Sequence, residues 1–326
     1  MIALLNPRNW KTLGIGLVGL FFWGGAAWGQ SPLLTLQPSN LQGLLAPGGA
    51  REGFIHFGCY DLFTLMRVNC EVTATLAPLD PATTQPQFFG GHRLHNTADQ
   101  PVGTVRNANI QGAGGPSVTG QTLEGFTVAY TAPEASGEVQ LLTTWTPPPF
   151  YLCQDNDEEN LGPIRRPCTG INHFNIGLPL RALDPLDDTF YKVIRGDADR
   201  HPSGTSGTPD TINKLRSLAG LYSAWTFRGD RLSVNDISLP QGGLFDWKTD
   251  WVVPHRTHRR GTDVDINVRP VDVNGIPVGA VPCPDDFALQ LALEEVATTS
   301  SGSPPRLLCE LNGRPDPEGP QKHISF

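Results

Sequence analysis

A β-rich region followed by an α+β domain is the fold this sequence predicts, and three observations carry the prediction. Glycine and proline, 36 and 30 of 326 residues, interrupt the chain too often for long helices and favour short strands and turns. Residues 31 to about 185 contain runs in which polar and apolar residues alternate, the period of a half-buried strand. Helical spacing first becomes clear after about residue 186. The length exceeds that of a usual single domain, so the reading is three segments: a leader over 1–29, a β domain over 30–185 and an α+β domain over 186–326.

The leader has the layout of a secretory signal. Arg8 and Lys11 precede an apolar stretch centred on "GIGLVGLFFWGG", and Ala27 and Gly29 put small residues at a cleavage point after Gly29. The apolar run falls short of the ~20 residues of a membrane span, which disfavours an uncleaved anchor. The expectation is a periplasmic or secreted protein with no membrane attachment after cleavage. Six cysteines agree with an oxidising compartment, and pairing neighbours predicts Cys59–Cys70, Cys153–Cys168 and Cys283–Cys309. No C-x-x-C suggests a zinc ribbon. A net charge of -8, with no Lys/Arg run, excludes a nucleic-acid partner.

Within the β domain, "FIHFGCYDLFTLMRVNCEVTATL" alternates over parts of its length. "EGFTVAYTAPEASGEVQLLTTWT" holds two alternating runs around a Pro/Ser/Gly turn, which predicts a hairpin. Its segment from Tyr130 to Gly137 resembles the strand link of bacterial immunoglobulin-like modules. That resemblance implies an immunoglobulin-like β-sandwich. "GGHRLHN" carries His92 and His95; with no carboxylate or cysteine nearby at ligand spacing, a turn with solvated histidines is expected. "QDNDEEN", residues 154 to 160, reads as a polar loop tied by a disulfide rather than a calcium site.

In the α+β domain, "GTPDTINKLRSLAGLYSAW" places Thr208 as N-cap, Pro209 at the first helical position and Asp210 in the first turn; Ile212, Leu215, Leu218, Ala219 and Tyr222 then recur at helical spacing. A second helix is expected over residues 285 to 297, beginning near Asp285 or Asp286. The short apolar runs "RLSVNDISL", "DVDINV", "RLLCEL" and "HISF" predict a small sheet. "RGDADRHP", with Asp197, Asp199 and His201, reads as a polar loop, and "GGLFDW", with Gly242, Gly243 and Asp246, as a turn framing a cleft. No nucleophile elbow, phosphate loop or dinucleotide fingerprint is present in the sequence.

The stretch "PHRTHRRGTDVDIN" concentrates the chemistry. As a strand it turns Asp263, Asp265 and Asn267 to one face and seats Val264, Ile266 and Val268 in the core. A tight turn at Gly261 would bring His258 back beside Asp265. His323, on a terminal segment whose Ile324 and Phe326 face the other way, completes a candidate triad of zinc-type ligands. An EF-hand reading of "DVDIN" fails because Val268 stands where that loop needs glycine.

The run H-x-T-H-x-x-G-x-D-V-D-I, from His255 to Ile266, resembles the signature of penicillin-insensitive murein endopeptidases. These belong with the zinc metallopeptidases of the lysostaphin, D-Ala-D-Ala peptidase and hedgehog N-terminal group. "VNDISLPQGGLFD", residues 234 to 246, is similar to the segment preceding the motif in that group, and the likeness spans about residues 200 to 326. The resemblance implies an α+β zinc-peptidase domain with a small antiparallel sheet. It further implies one Zn2+ held by His258, Asp265 and His323, with His255 lining the site, and peptidoglycan peptides as substrate. One position departs from the pattern. Two residues before His323, where the group has a histidine or a glutamate variant, stands Gln321, which cannot act as a base. His255 is then the nearest motif-based candidate for proton transfer, with Glu318 and Asp316 on the loop before the last strand as others. The alternative is a non-catalytic, zinc-containing cell-wall or surface binding protein.

Overall fold

The computed structural model describes residues 33–38, 44–49, 51–61, 64–79, 92, 95, 97–148, 152–153, 167–194, 201, 203–246, 251, 258–300, 303–309 and 321–326. The predicted leader, the 154–160 loop, Asp197, Asp199, His255, Asp316 and Glu318 lie outside them. Two α-helices and several small, largely antiparallel sheets make up the described chain.

The first half builds two sheets. One runs β4 (Thr104–Asn107), β6 (Thr127–Thr131), β2 (Glu52–Asp61), β1 (Leu33–Pro38) and β8 (Leu152–Cys153), antiparallel except that β8 lies parallel to β1. The other runs β5 (Ser117–Gln121), β3 (Glu71–Ala77), β7 (Gly137–Thr146) and β9 (Cys168–Ile176), all antiparallel. Alternate residues of both sheets enter one core, where Tyr130 of β6 stacks on Phe174 of β9 with ring centroids 4.1 Å apart. The Cys59–Cys70 disulfide joins β2 to the segment entering β3 and so ties the two sheets.

The predicted hairpin is corrected. β6 pairs with β2 and β4, whereas β7 pairs with β3 and β9, so the intervening "APEAS" crosses from one sheet to the other. Alternation reports that each strand has an inner face, and strands of two facing sheets share that pattern. Ala135 and Ser136 are buried at this crossing instead of forming an exposed turn tip.

The second half forms a sheet ordered β11 (Tyr191–Val193), β13 (Leu232–Val234), β14 (Asp263–Asn267), β16 (Gln321–Ser325) and β15 (Arg306–Cys309). A two-stranded piece pairs β10 (Arg181–Ala182) with β12 (Ser206–Gly207). Helices α1 (Pro209–Trp225) and α2 (Phe287–Thr299) pack on the five-stranded sheet. The α1 start follows the expected chemistry, Thr208 Oγ1 accepting from the Thr211 amide at 3.1 Å with Pro209 following the cap. Helix α2 begins slightly later than expected, because Cys283–Asp285 form a 3-10 turn and Asp286 caps the helix by accepting from the Leu289 amide at 3.1 Å. Ile212, Leu215 and Leu218 of α1 and Leu289 and Val296 of α2 are buried against Val234, Val264, Ile266 and Ile324. Each such side chain contributes about 1.5–3 kcal/mol of burial free energy.

Residues Pro32–Phe326 form one unit with these two principal cores. The loop after β13 joins them: Leu244 N–H donates to Glu134 O at 2.9 Å, Ser136 Oγ donates to Gly242 O at 2.6 Å, and Arg259 pairs with Glu134 at 2.7 Å. The Cys283–Cys309 bridge ties β15 to the turn before α2. Cys168 is also disulfide-bonded; the side chain of its expected partner, Cys153, lies outside the described set. Among the described residues, no helix is long and apolar enough to cross a membrane.

Candidate metal centre

The triad is assembled by strand register and one turn. Asp265 on β14 stands directly opposite His323 on β16, so the pleat turns both side chains to the same face of the sheet. Val264, Ile266 and Val268 occupy the opposite, buried face, as the alternation predicts. His258 reaches the pair through the turn leading into β14. Its own backbone is left-handed, φ 55°, and Gly261 follows at φ 68°.

Gly261 also makes a close approach: a Cβ there would lie 2.9 Å from Gly207 Cα, with the Leu180 methyls at 3.0 and 3.1 Å. Gly261→Ala is therefore expected to cost at least about 1–2 kcal/mol for the left-handed backbone alone. The measurement is the denaturant midpoint, and an unchanged midpoint would show that the turn relaxes freely.

Each imidazole of the triad has an outer nitrogen anchored and an inner nitrogen turned on one carboxylate. His258 Nδ1–H donates to the Ile237 carbonyl at 2.7 Å, leaving Nε2 3.0 Å from Asp265 Oδ2. His323 Nε2 lies 3.2 Å from Asp263 Oδ1, and its Nδ1 lies 2.8 Å from Asp265 Oδ1. Metal-binding histidines use this arrangement, in which an acceptor behind the ring sets its tautomer and orientation. His258, Asp265 and His323 are all buried, and their ligand atoms lie within 4.8 Å of one another. The three side chains could thus hold a metal ion.

Electrostatics couple the group. Burial opposes charge on His258, but the Asp265 carboxylate outweighs it and raises its pKa from 6.5 to about 9. His323 is likewise penalised by burial and lifted to about 9 by Asp263 and Asp265. Burial would raise Asp265, yet its contacts with His258 and His323 hold it well below the usual carboxylate range.

Both histidine pKa values rise on folding, so their contribution to the metal-free fold is full below about pH 6.5 and is lost as pH climbs through about 9. A cation must displace those protons, so its affinity should increase across the same window. Calorimetric titration with Zn2+ in buffers of different ionisation enthalpy should register proton release near pH 7.5. Affinity that stays flat from pH 6.5 to 9 would contradict this coupling.

Four more ligand-type side chains converge beyond Phe245. His95 Nε2 lies 3.1 and 3.0 Å from the two carboxylate oxygens of Asp246, His201 Nε2 lies 3.0 Å from Oδ1, and His92 Nδ1 lies 3.2 Å from Oδ1. Burial dominates at His92 and lowers its pKa to about 4 despite Asp246, keeping the imidazole neutral. Asp246 would be raised by burial but is held far down by its three histidine neighbours. The expectation of solvated histidines at His92 and His95 is thus overturned by their burial. His201 does lie in a loop and Gly242, Gly243 and Asp246 in a turn region, with Gly243 at the cleft, but His201 and Asp246 are buried against each other. The carboxylate that partners His95 is 151 residues away in sequence, so a search for ligands at local spacing could not find it. No local signal in the sequence joins these four residues; among the described residues, five of the chain's eight histidines fall in the two clusters only once the chain is folded.

Gln321 stands on β16 opposite Asn267, on the face that carries Asp265 and His323, and is buried. A cleft of about 750 Å³, whose lining includes none of the three triad residues, is bounded by Leu178, Leu180, Arg259, Arg260 and Thr262, with Glu134 from the first half. Thr262 Oγ1 donates to Asp263 at 3.0 Å, so the cleft wall adjoins the carboxylate behind His323. The chain matches no protein-family model and no curated protein sequence.

Proposed function

We propose that the protein is an exported zinc metallopeptidase of the murein endopeptidase type, with His258, Asp265 and His323 as metal ligands and peptide cross-links of peptidoglycan as substrate. The observation that carries this reading is the orientation of the two imidazoles, outer nitrogens anchored on Ile237 O and Asp263, inner nitrogens on Asp265. Two imidazoles and one carboxylate suit zinc in a catalytic role, where three protein ligands leave a position open. Zinc supplies Lewis acidity and lowers the pKa of a water molecule.

The residues of the chain do the rest. Asp263 holds His323 in the ligating tautomer, and the Ile237 carbonyl does so for His258. His255, three residues before His258, is the proposed proton-transfer group, because the Gln321 amide can hydrogen-bond but cannot carry a proton at neutral pH. Arg260, exposed at the cleft, presents a guanidinium to the carboxylates of a wall peptide. In this reading the first half is an immunoglobulin-like sandwich that positions the peptidase domain, and the disulfides accord with a periplasmic or secreted location.

Gln321 favours a second reading, a non-catalytic zinc-containing binding protein of the cell wall, because it occupies the site face where a base would stand. Digestion of purified peptidoglycan by the zinc-loaded protein, with product masses, separates the two. The peptidase reading expects cleaved cross-links, and a His255→Ala variant that keeps its zinc but loses about 10²- to 10⁴-fold in rate. Intact peptidoglycan after prolonged incubation would leave the binding reading, for which Gln321→His is then the variant to test for recovered turnover.

A further inference from the structure

We propose that His92, His95, His201 and Asp246 form a second metal site, for a divalent transition cation of the zinc class, whose role is structural: it fastens the segment carrying His92 and His95 to the α+β half.

Donor number separates this site from the triad. Structural zinc sites are closed by four protein ligands, whereas catalytic ones use three and keep a position open. Here three imidazoles and one carboxylate supply four donors, their ligand atoms within 4.8 Å of one another. The nitrogens lie 3.0 to 3.2 Å from the Asp246 oxygens, a little inside the roughly 3.3–3.6 Å that bonds of about 2.0–2.2 Å impose between ligands on a tetrahedral ion. The ring centroids of His92, His95 and His201 are mutually 4.8 to 5.3 Å apart, a three-sided cage rather than a stack.

His92 supplies the independent observation. Its side chain is fully buried and lies against Asp246 with Nδ1 3.2 Å from Oδ1, an ion-pair contact, yet neither ring nitrogen makes a hydrogen bond of good geometry. A buried imidazole left in this way is costly unless something else takes its lone pair. A cation between the four groups does so, and it also neutralises the buried carboxylate.

The site would join distant parts of the chain. His92 and His95 precede β4, His201 lies between β11 and β12, and Asp246 follows β13. It also meets the triad through one side chain, since the Phe245 ring stacks on His201 at 5.2 Å and reaches His258 at 5.9 Å. An ion at the second site would therefore steady Phe245 against the His258 ring.

The test is a count of ions. Chelator-stripped full-length protein is titrated with Co2+ and followed by its visible absorption, with circular dichroism as the folding control. Two equivalents are expected for the unaltered protein, one for His258→Ala and one for His95→Ala. Co2+ should raise the thermal midpoint of His258→Ala by several degrees, because its remaining site is the structural one. An ion retained by His258→Ala and lost on adding His95→Ala supports the second site whatever becomes of the triad. A single equivalent in the unaltered protein that vanishes in His258→Ala would overturn it, as would two equivalents retained by folded His95→Ala and Asp246→Ala variants. If those variants do not fold, the counts for the unaltered protein and His258→Ala decide the matter.

Discussion

Asp265→Ala is expected to empty the triad of metal, abolish hydrolysis and destabilise the metal-free fold by about 3–5 kcal/mol, the range for removing one partner of a buried ionic group. The size of the effect follows from geometry. Asp265 is buried and offers one oxygen to each imidazole, and the two rings stand 5.3 Å apart. Without that carboxylate the buried His258 and His323 face each other as like charges, and each loses the oxygen that Asp265 turns towards it. Both should then shed their protons, so the pKa values near 9 should fall towards or below 6.5. Asp265→Asn preserves the shape and removes the charge, and it should reproduce most of the loss. Denaturant titration of both variants with the chelator-stripped parent checks this, together with zinc content. Variants that melt with the parent and keep its metal would show that Asp265 is not the centre of the group.

Lys322→Ala is expected to destabilise the protein by about 3–5 kcal/mol as well, without touching a proposed ligand. Lys322 points from β16 to the face opposite His323, is almost wholly buried, and pairs with the buried Asp286 carboxylate, which also caps α2 through the Leu289 amide. Truncating the lysine strands the carboxylate in an apolar setting between α2 and the sheet. Replacing both partners, Lys322→Met with Asp286→Ser, removes the charges together and keeps a hydroxyl for the cap, so the double variant should recover most of the stability. Urea denaturation of the two single variants and the double variant gives the coupling directly. Strictly additive single effects would mean that the pair contributes nothing specific. Because β16 carries His323, Lys322→Ala should also weaken metal binding at the triad more than at the His92, His95, His201 and Asp246 cluster.

Much of the second half was legible in the sequence, because its signals are local. Thr208 and Pro209 announce a helix start through the first-turn amides they satisfy or do not need, and the apolar spacing of α1 follows from the helical repeat. The alternation in "DVDIN" sets which residues of β14 face the core, since a strand's side chains have a period of two. The return of His258 to Asp265 depends on a short turn for which Gly261 is suited. Sequence reading was less secure in the first half. Alternation there locates inward faces but not partners, and the "APEAS" crossing has the sequence pattern of a hairpin turn because a strand's pattern carries no record of which sheet it joins.

The sequence by itself determined the composition of strands and helices, the faces of β14 and the ligand types near residue 258. Tertiary structure alone decided that Asp265 and His323 are register partners, and that Asp263 and Ile237 stand behind the two imidazoles. It also decided that His92, His95 and His201 surround Asp246. The physical reason is range. Capping, turn geometry and side-chain periodicity act over a few residues, whereas a ligand cage is set by which distant segments share a core, and burial is what turns a scattered set of imidazoles and carboxylates into one coupled group.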